Sequence, residues 1–142
     1  MKIKPLSLCH LQKIVDLQKN FFSDGWTEEM LNAGFKENNL KGFVAIEGEK
    51  IIAFITYSLT QDYSDLLDIL VHPDFRGQGI AQELMRKYLA EIKGKTQKSL
   101  LEVRQSNEKA ISLYNKFGYN TISTRKKYYQ DGENALIMQK EI

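Results

Sequence analysis

The sequence predicts a mixed α/β fold, with one central twisted sheet and helices on both of its faces. Two observations predict this class. The middle of the chain contains strand–helix–strand–helix units, which favour right-handed crossovers and locally parallel strands. The segments on either side carry hairpin signals, which favour antiparallel pairing. The predicted order is β-α-α-β-β-β-α-β-α-β-β, a mixed sheet of about seven strands with about four helices.

The first third of the chain predicts one strand followed by two helices. Met1 to Lys4 has the pattern of a short strand, which Pro5 ends. Ser7 is a suitable N-cap, and apolar residues at spacings of three and four predict a helix from there to Phe22. Thr27 is a suitable cap for a second, shorter helix.

The middle third predicts three strands and a helix. Phe43 to Glu47 and Ile51 to Leu59 are rich in β-forming residues, and Gly48-Glu49-Lys50 between them predicts a hairpin. A third strand extends from Leu66 to Val71. A loop with two glycines follows, and then a helix whose apolar residues recur at helical spacing to about Lys93.

The last third predicts a strand, a helix and a final hairpin. The strand is Ser99 to Val103. Either Ser106 or Asn107 can cap the helix, and Gly118 supplies its C-terminal stop. Asp131-Gly132 is a strong hairpin signal between two final strands. Those strands are Tyr119 to Tyr129 and Asn134 to Lys140.

Composition limits the possible functions. The 142 residues include 20 Lys and Arg against 18 Asp and Glu, a net charge of +2 that is too balanced for general nucleic-acid binding. The one cysteine, Cys9, allows no internal disulfide, and we expect it to be a buried small hydrophobic residue. No signal peptide is visible, and the longest apolar run is too short to span a bilayer. We expect a single domain over residues 1–142, cytoplasmic and not associated with membranes.

The most informative motif is the loop Arg76-Gly77-Gln78-Gly79-Ile80-Ala81 between a strand and a helix. This arrangement directs backbone N–H groups and the positive helix N-terminus at phosphate oxygens. The loop lacks the Gly-Lys-Ser/Thr of a Walker loop, and it lacks the three glycines and downstream acid of a dinucleotide fingerprint. No metal-ligand cluster is visible, so we expect no metal and a metal-free pyrophosphate ligand. The alternative is an ordinary glycine turn with a solvated Arg76.

Two side chains are candidates for chemistry. Glu102 lies in a strand otherwise suited to the core, where a carboxylate is costly unless it faces a cleft or a partner. Its alternative is a strand-end position in water. Tyr114 lies on an apolar helix face, where a tyrosine is either a core residue with a bonded hydroxyl or a catalyst. His72 precedes Pro73 and is interpreted as a turn residue.

These residues resemble the GNAT superfamily of acyl-CoA-dependent N-acetyltransferases. Arg76-x-x-Gly79-x-Ala81 matches the superfamily's Gln/Arg-x-x-Gly-x-Gly/Ala signature, and Asn107-x-x-Ala110-x-x-Leu113-Tyr114-x-x-x-Gly118-Tyr119 resembles its later helix signature. Three further segments resemble the RimI-type branch, which acetylates the N-terminal alanine of a small-subunit ribosomal protein. They are Leu101-Glu102-Val103-Arg104-x-Ser106-Asn107, Arg125-Lys126-x-Tyr128-Tyr129 and Ala135-Leu136-Ile137-Met138.

The resemblance implies a GNAT-like fold and direct transfer of an acetyl group from acetyl-CoA to a primary amine. The first acceptor it implies is the N-terminal α-amine of a protein or peptide, such as a ribosomal-protein alanine. It implies Glu102 as general base and Tyr114 as general acid. The implied cofactor-binding residues are Ile69, Leu70, Val71, Arg76, Gly77, Gln78, Gly79, Ile80, Ala81, Gln82 and Asn107. We expect a monomer or a weak homodimer.

The sequence departs from the branch after the first helix. The branch usually carries a Phe-Pro-Trp-Ser-like segment there, near the peptide site, whereas this chain has Phe22-Ser23-Asp24-Gly25-Trp26-Thr27. Gly25 makes this segment freer than a proline would. A second hypothesis therefore stays open, in which the same fold acetylates a small-molecule amine (a polyamine, an amino acid or an aminoglycoside) in an acidic cleft formed by Asp62, Asp65 and Asp68. A third is an acyl-CoA-binding sensor without activity, which nothing in the sequence favours.

Overall fold

The computed structural model describes residues 1–21, 27–37 and 40–142. Within these ranges the strands are β1 (Lys2–Pro5), β2 (Lys41–Glu47), β3 (Lys50–Leu59), β4 (Ser64–Val71), β5 (Lys98–Arg104), β6 (Asn120–Arg125) and β7 (Ala135–Glu141). The helices are α1 (Leu11–Phe21), α2 (Glu28–Lys36), α3 (Ile80–Ile92) and α4 (Glu108–Lys116). Two short 3₁₀ turns are Leu8–His10 and Pro73–Phe75. The predicted order of strands and α-helices is confirmed.

The strands form one mixed sheet in the order β1-β2-β3-β4-β5-β7-β6. Every neighbouring pair is antiparallel except β4 and β5, which are parallel. The pairing of β4 with β5 covers only Ser64 to Leu66 against Ser99 to Leu101, although β4 has eight residues and β5 has seven. The two strands therefore separate after Leu66 and leave a gap in the middle of the sheet.

Two hydrophobic cores cover the two faces of the sheet, because successive residues of a strand point to opposite faces. One core packs α3 and α4 against the sheet through side chains such as Leu84 and Tyr114. The other packs α1 and α2 against it through side chains such as Ile14. In β2 the neighbours Phe43 and Val44 lie in different cores. The prediction of helices on both faces is confirmed.

A chain of four buried hydroxyls lies where β4 and β5 pair. Ser64 Oγ donates to the Ser58 carbonyl oxygen at 2.7 Å and lies 2.7 Å from the Tyr88 hydroxyl. Ser99 Oγ lies 2.8 Å from the Tyr88 hydroxyl and 2.7 Å from the Tyr119 hydroxyl. These bonds join β4 and β5 to α3 and to the residue before β6. Nothing in the sequence pattern predicted this network.

The N-terminal segment differs from its prediction in two respects. The first helix does not begin directly after Ser7, since the 3₁₀ turn Leu8–His10 comes between them. Ser7 N–H donates to His10 Nδ1 at 3.1 Å, so Ser7 caps this turn instead of α1. Cys9 lies in the same turn and is exposed, so the expectation of a buried cysteine is wrong.

The last hairpin also differs, because β6 ends at Arg125 and not at Tyr129. Lys127 has a φ of 52°, a left-handed conformation that no strand residue adopts. Its N–H donates to Asn134 Oδ1 at 3.0 Å, which closes the intervening residues into a loop. The strand predicted to extend to Tyr129 is therefore four residues too long.

His72 occupies the turn that the sequence predicted. Its Nδ1 accepts a hydrogen bond from Asp74 N–H at 3.0 Å, and this bond caps the 3₁₀ turn Pro73–Phe75 at the end of β4. Across the described ranges the helices are all too short or too polar to cross a membrane.

Candidate active site

A cleft of about 940 Å³ lies where β4 and β5 separate. Its walls include Leu67 to Val71 from β4 and Glu102 to Arg104 from β5, with further residues from the glycine loop and from α4. Because β4 and β5 stop pairing after Leu66, the edge of β4 that faces β5 carries backbone groups that no β5 residue pairs. The volume suits a small-molecule ligand, and the open strand edge offers that ligand backbone hydrogen bonds.

The glycine loop presents its backbone to the same cleft. Gly77 and Gly79 both have a φ of 78°, a left-handed conformation that favours glycine. Glu83 N–H donates to the Gly79 carbonyl at 3.1 Å, whereas the N–H groups from Gly77 to Gln82 donate to no backbone carbonyl of the described residues. They lie at the positive N-terminus of α3, so the loop can bind an anion.

Basic side chains line the same cleft as this loop. Arg76 Nε donates to the Val71 carbonyl oxygen at 3.1 Å, which holds the guanidinium beside the end of β4. Lys109 and Lys116 of α4 line the cleft, and Lys116 Nζ donates to Gln82 Oε1 at 3.3 Å. These lysines were not among the residues predicted from the sequence, although their spacing of seven places them on one helix face. Several positive charges suit a ligand with several phosphate oxygens.

The cleft brings together the predicted site residues with one exception. It is lined by Glu102, Tyr114, Ile69, Leu70, Val71, Arg76, Gly77, Gly79, Ile80, Ala81, Gln82 and Asn107. Gln78 does not line it and is exposed. The side chains of Leu70 and Ile80 are buried in the cores, so they can offer a ligand only backbone atoms. Asn107 is the cap of α4, since its Oδ1 accepts from Ala110 N–H at 3.2 Å.

Glu102 faces the cleft while keeping contact with water. Its Oε1 lies 3.3 Å from Arg125 Nη1, and the side chain is 35% exposed. Glu102, as a nearby hydrogen-bond acceptor and then through its charge, raises the pKa of the Tyr128 hydroxyl. Burial above all, and then the charge of Glu102, raises the pKa of the neighbouring Asp65 carboxyl. The carboxylate is thus paired and partly solvated, which removes most of the cost of placing it in the strand.

Tyr114 is both a core residue and a residue of the cleft, which are the two alternatives that the sequence left open. It is 7% exposed and its ring centroid lies 5.9 Å from that of Tyr119, so it belongs to the core. It also lines the cleft. Burial, and secondarily the nearby Asp68 and Tyr129, raises the pKa of the Tyr114 hydroxyl. The phenol therefore carries its proton at neutral pH.

The acidic residues of the small-amine hypothesis do not converge on the cleft. Asp68 lines it, whereas Asp62 and Asp65 do not. The described ranges contain no group of three or more His, Cys, Asp or Glu residues placed to hold a metal ion. The altered segment Phe22 to Trp26 lies outside the described residues. Thr27, which follows it, caps α2 as predicted.

Residues 126–134, here called the tyrosine loop, form the wall of the cleft beside Glu102. Tyr128 and Tyr129 line the cleft, and their rings meet edge to face with centroids 5.1 Å apart. The guanidinium carbon of Arg104 lies 4.0 Å from the centroid of the Tyr129 ring. The sequence singled out Tyr128 and Tyr129 by their resemblance to the RimI-type branch, but the strand predicted to Tyr129 would send the two rings to opposite faces of the sheet.

Known proteins resemble this chain in sequence, in fold or in both. The model of the Acetyltransferase (GNAT) family matches residues 11–119. A ribosomal protein bS18-alanine N-acetyltransferase of Haemophilus ducreyi is 39% identical over 120 residues, which cover 80% of this chain and 81% of that protein. The crystal structure of the ribosomal-protein-S18-alanine N-acetyltransferase from Escherichia coli has a TM-score of 0.90 and 29% identity, over 99% of this chain and 93% of that chain. Arabidopsis thaliana NAA60 in complex with acetyl-CoA shares the fold, with a TM-score of 0.87 at 16% identity over 99% of this chain and 98% of that chain.

The family model covers 11–119, which includes the strands that separate, the glycine loop and helix α4. The signatures that resembled the superfamily in the sequence therefore lie inside the matched segment. The chain belongs to the acetyltransferase (GNAT) family and is an acetyl-CoA-dependent N-acetyltransferase.

Proposed function

We propose that this enzyme transfers an acetyl group from acetyl-CoA to the N-terminal α-amine of a protein, with a ribosomal-protein alanine as the first candidate. The observation that carries this proposal is the 39% identity to a ribosomal protein bS18-alanine N-acetyltransferase over four-fifths of both chains. The cleft supports it, because a carboxylate and a protonated phenol line the same gap in the sheet. The proposed reaction occurs in the cytoplasm, and we expect a monomer or a weak homodimer.

The residues of the cleft fit acetyl-CoA as a ligand. The N–H groups from Gly77 to Gln82 have no backbone acceptor among the described residues, which suits the two phosphates of the pyrophosphate. Arg76 adds a permanent positive charge beside them. The unpaired edge of β4 at Ile69 to Val71 offers backbone groups to the pantetheine amides and the acetyl carbonyl. Asn107, at the start of α4, lies close enough to the cleft to contact the same ligand.

Glu102 is the general base in this proposal. An α-amine has a pKa of about 7.7–8.0, so much of it is protonated at neutral pH and cannot attack a thioester. The Glu102 carboxylate removes that proton, directly or through one water molecule. The amine nitrogen then forms a bond to the thioester carbon, and a backbone N–H of β4 stabilises the negative charge on the carbonyl oxygen.

Tyr114 is the general acid. Its raised pKa keeps the phenol protonated at neutral pH, so a proton is present when the carbon–sulfur bond breaks. That proton goes to the departing CoA sulfur, and the acetyl group stays on the amine nitrogen. No covalent enzyme intermediate is required, which agrees with the position of Cys9 in an exposed turn outside the cleft.

The test is incubation with acetyl-CoA and a mixed panel of peptides and free amines. The panel contains two peptides, one that begins with a free alanine and a version of it that has a blocked α-amine and an internal lysine. It also contains three free amines, namely a polyamine, an amino acid and an aminoglycoside. Mass spectrometry locates each acetyl group. We expect the α-amine of the alanine peptide to be acetylated fastest. Turnover of a free amine with no reaction of the peptides would overturn the proposal in favour of the small-molecule hypothesis.

A further inference from the structure

Arg104 connects the strand of the proposed base to the tyrosine loop. It is the last residue of β5 and lies two residues after Glu102, so both side chains leave the same face of the strand. Its Nη1 donates to Asp131 Oδ2 at 2.8 Å and to Glu133 Oε1 at 3.0 Å. Its guanidinium also stacks on the Tyr129 ring. One side chain therefore contacts three residues of the loop.

The backbone around Arg104 strengthens the same connection. Ser106 N–H donates to Glu133 Oε2 at 3.0 Å, and Gln105 N–H donates to the Asn134 carbonyl at 3.1 Å. Asn134 Nδ2 donates to Gln105 Oε1 at 3.0 Å. Residues 104–106 thus hold one end of the tyrosine loop, and they lie between the proposed base and the cap of α4.

Charge keeps these contacts in place at neutral pH. A hydrogen bond from the Glu133 backbone, and then Arg104, lowers the pKa of Asp131. A hydrogen bond from Ser106, and then Arg104, lowers the pKa of Glu133. Both carboxylates are ionised at neutral pH. A single exposed ion pair contributes little, but a planar guanidinium with two carboxylates and an aromatic face is a network of fixed geometry.

The loop held in this way carries the two rings beside the base. The guanidinium of Arg125, which lies 3.3 Å from Glu102 Oε1, also lies 5.5 Å from the Tyr128 ring centroid. Tyr129 lines the cleft on the same side. The tyrosine loop joins β6 to β7 on the β5 side of the gap, whereas the glycine loop follows β4 on the other side. The two rings therefore belong to the half of the sheet opposite the loop that binds the phosphates in the proposed function.

We infer that Arg104 is a positioning residue that holds Tyr128 and Tyr129 as the wall against which the acceptor peptide binds. This inference rests on the proposed function, since it needs a peptide acceptor. It assigns Arg104 a role in the affinity for the peptide and none in the affinity for acetyl-CoA. A merely structural arginine would reduce the folded fraction, which lowers the apparent kcat and leaves both KM values unchanged.

The test is Arg104→Lys, which keeps the charge but removes the planar fork and the stacking surface. We expect the KM for an alanine-starting peptide to rise about tenfold or more, because small misplacements of positioning groups have effects of this size. The KM for acetyl-CoA should stay within about twofold. Asp131→Asn, a milder change at a 62% exposed residue, should shift the peptide KM in the same direction. The matched control is Lys95→Gln, which breaks the exposed Lys95–Glu91 ion pair of 3.0 Å outside the cleft and should change neither KM.

Hydrogen exchange tests the same inference without any substrate. In Arg104→Lys the amides of Tyr129, Gly132 and Glu133, which are hydrogen-bonded within the loop, should exchange faster than in the wild type, while those of β7 should not. Unchanged peptide KM in Arg104→Lys and Asp131→Asn, or unchanged exchange in the loop, would overturn the inference. A wild-type enzyme that acetylates no peptide would instead overturn the proposed function, whatever the exchange shows.

Discussion

The Tyr119 hydroxyl lies 2.7 Å from Ser99 Oγ and donates its proton to it. The Ser58 carbonyl at the other end of the hydroxyl chain fixes this direction, because a carbonyl can only accept. Ser64 uses its one proton on the Ser58 carbonyl, so it must accept from Tyr88. Tyr88 then accepts from Ser99, and Ser99 accepts from Tyr119. Burial above all raises the pKa of the Tyr119 hydroxyl, which keeps its proton available for donation.

This fixed direction predicts unequal effects at the two ends of the chain. Ser64→Ala removes an acceptor of the buried Tyr88 proton and a donor to Ser58, so we expect a loss of about 1–3 kcal/mol in the free energy of unfolding. Tyr119→Phe removes only the terminal donor and should cost about 0.5–1.5 kcal/mol. Denaturant unfolding of both variants measures the difference. A larger loss for Tyr119→Phe would contradict the assignment of the Tyr119 hydroxyl as the terminal donor of the chain.

Glu102→Gln should lower kcat by about a hundredfold or more at neutral pH. The loss should shrink as the pH rises above the α-amine pKa of about 8, because the acceptor then loses its proton without a base. Rates with an alanine-starting peptide from pH 6 to 9.5 measure the profile. Asp62→Asn, an exposed carboxylate outside the cleft, is the control and should keep the wild-type profile. A pH-independent loss would contradict the role of base.

Tyr114→Phe should slow turnover by about a hundredfold and leave acetyl-CoA binding unchanged, since it removes one proton donor and keeps the ring. Steady-state kinetics and equilibrium binding of acetyl-CoA separate these quantities. The control is Tyr57→Phe, because Tyr57 is also buried, burial raises its pKa to about 12, and it does not line the cleft. Wild-type kcat in Tyr114→Phe would remove Tyr114 from the mechanism.

Gly79→Ala should weaken acetyl-CoA binding and stability together. A side chain at a φ of 78° costs about 1–2 kcal/mol, and relief of that strain would rotate the N–H groups that face the cleft. Gly94→Ala is a close control, because Gly94 follows the other end of α3 with a φ of 79° and open space around it. Melting temperatures should fall similarly in both variants, whereas the KM for acetyl-CoA should rise only in Gly79→Ala. Equal KM values would exclude the loop from binding.

Asp65→Asn should stabilise the protein at neutral pH. The pKa of Asp65 is raised in the folded state, chiefly by burial, so its contribution to stability is greatest below the unfolded pKa and is lost as the pH rises through the folded pKa. An amide resembles the neutral form, so the melting temperature should rise at pH 7. The gain should vanish near pH 3.5, below the ordinary pKa of about 3.9. A gain that persists at pH 3.5 would indicate a packing effect.

The sequence predicted the fold well because the residues that end its helices and strands act locally. Gly48, Gly118 and Gly132 stand at turns or helix ends and have positive φ, so these signals acted within a few residues. The cap at Asn107 and the loop at Gly77 and Gly79 were predicted for the same reason, and family membership confirms the acetyl-CoA-dependent enzyme class. The roles of Glu102 and Tyr114 stay predictions.

What the sequence did not predict depends on residues that are distant in the chain. The contacts of Arg104 with Asp131 and Glu133 span nearly 30 positions, and the bond between Ser64 and Tyr88 spans 24. The end of β6 was also misplaced, because the hairpin signal at Asp131-Gly132 does not show where the preceding strand stops, and the loop is closed by contacts such as that of Lys127 N–H with Asn134 Oδ1. Cys9 was misplaced because a 3₁₀ turn does not follow the helical repeat.

The sheet consists of two halves, β1–β4 and β5–β7–β6, which are joined only by the three-residue pairing of β4 with β5 in the described structure. Beyond these three residue pairs, no backbone hydrogen bonds of the described structure pair β4 with β5. A molecule that lies between the two strands would replace those missing hydrogen bonds. Donor binding and sheet cohesion should therefore reinforce each other, with a gain of about 2.7 kcal/mol when the donor is at 100 times its Kd. We therefore expect acetyl-CoA, bound in the cleft as proposed, to connect the two halves of the sheet as well as to supply the acetyl group.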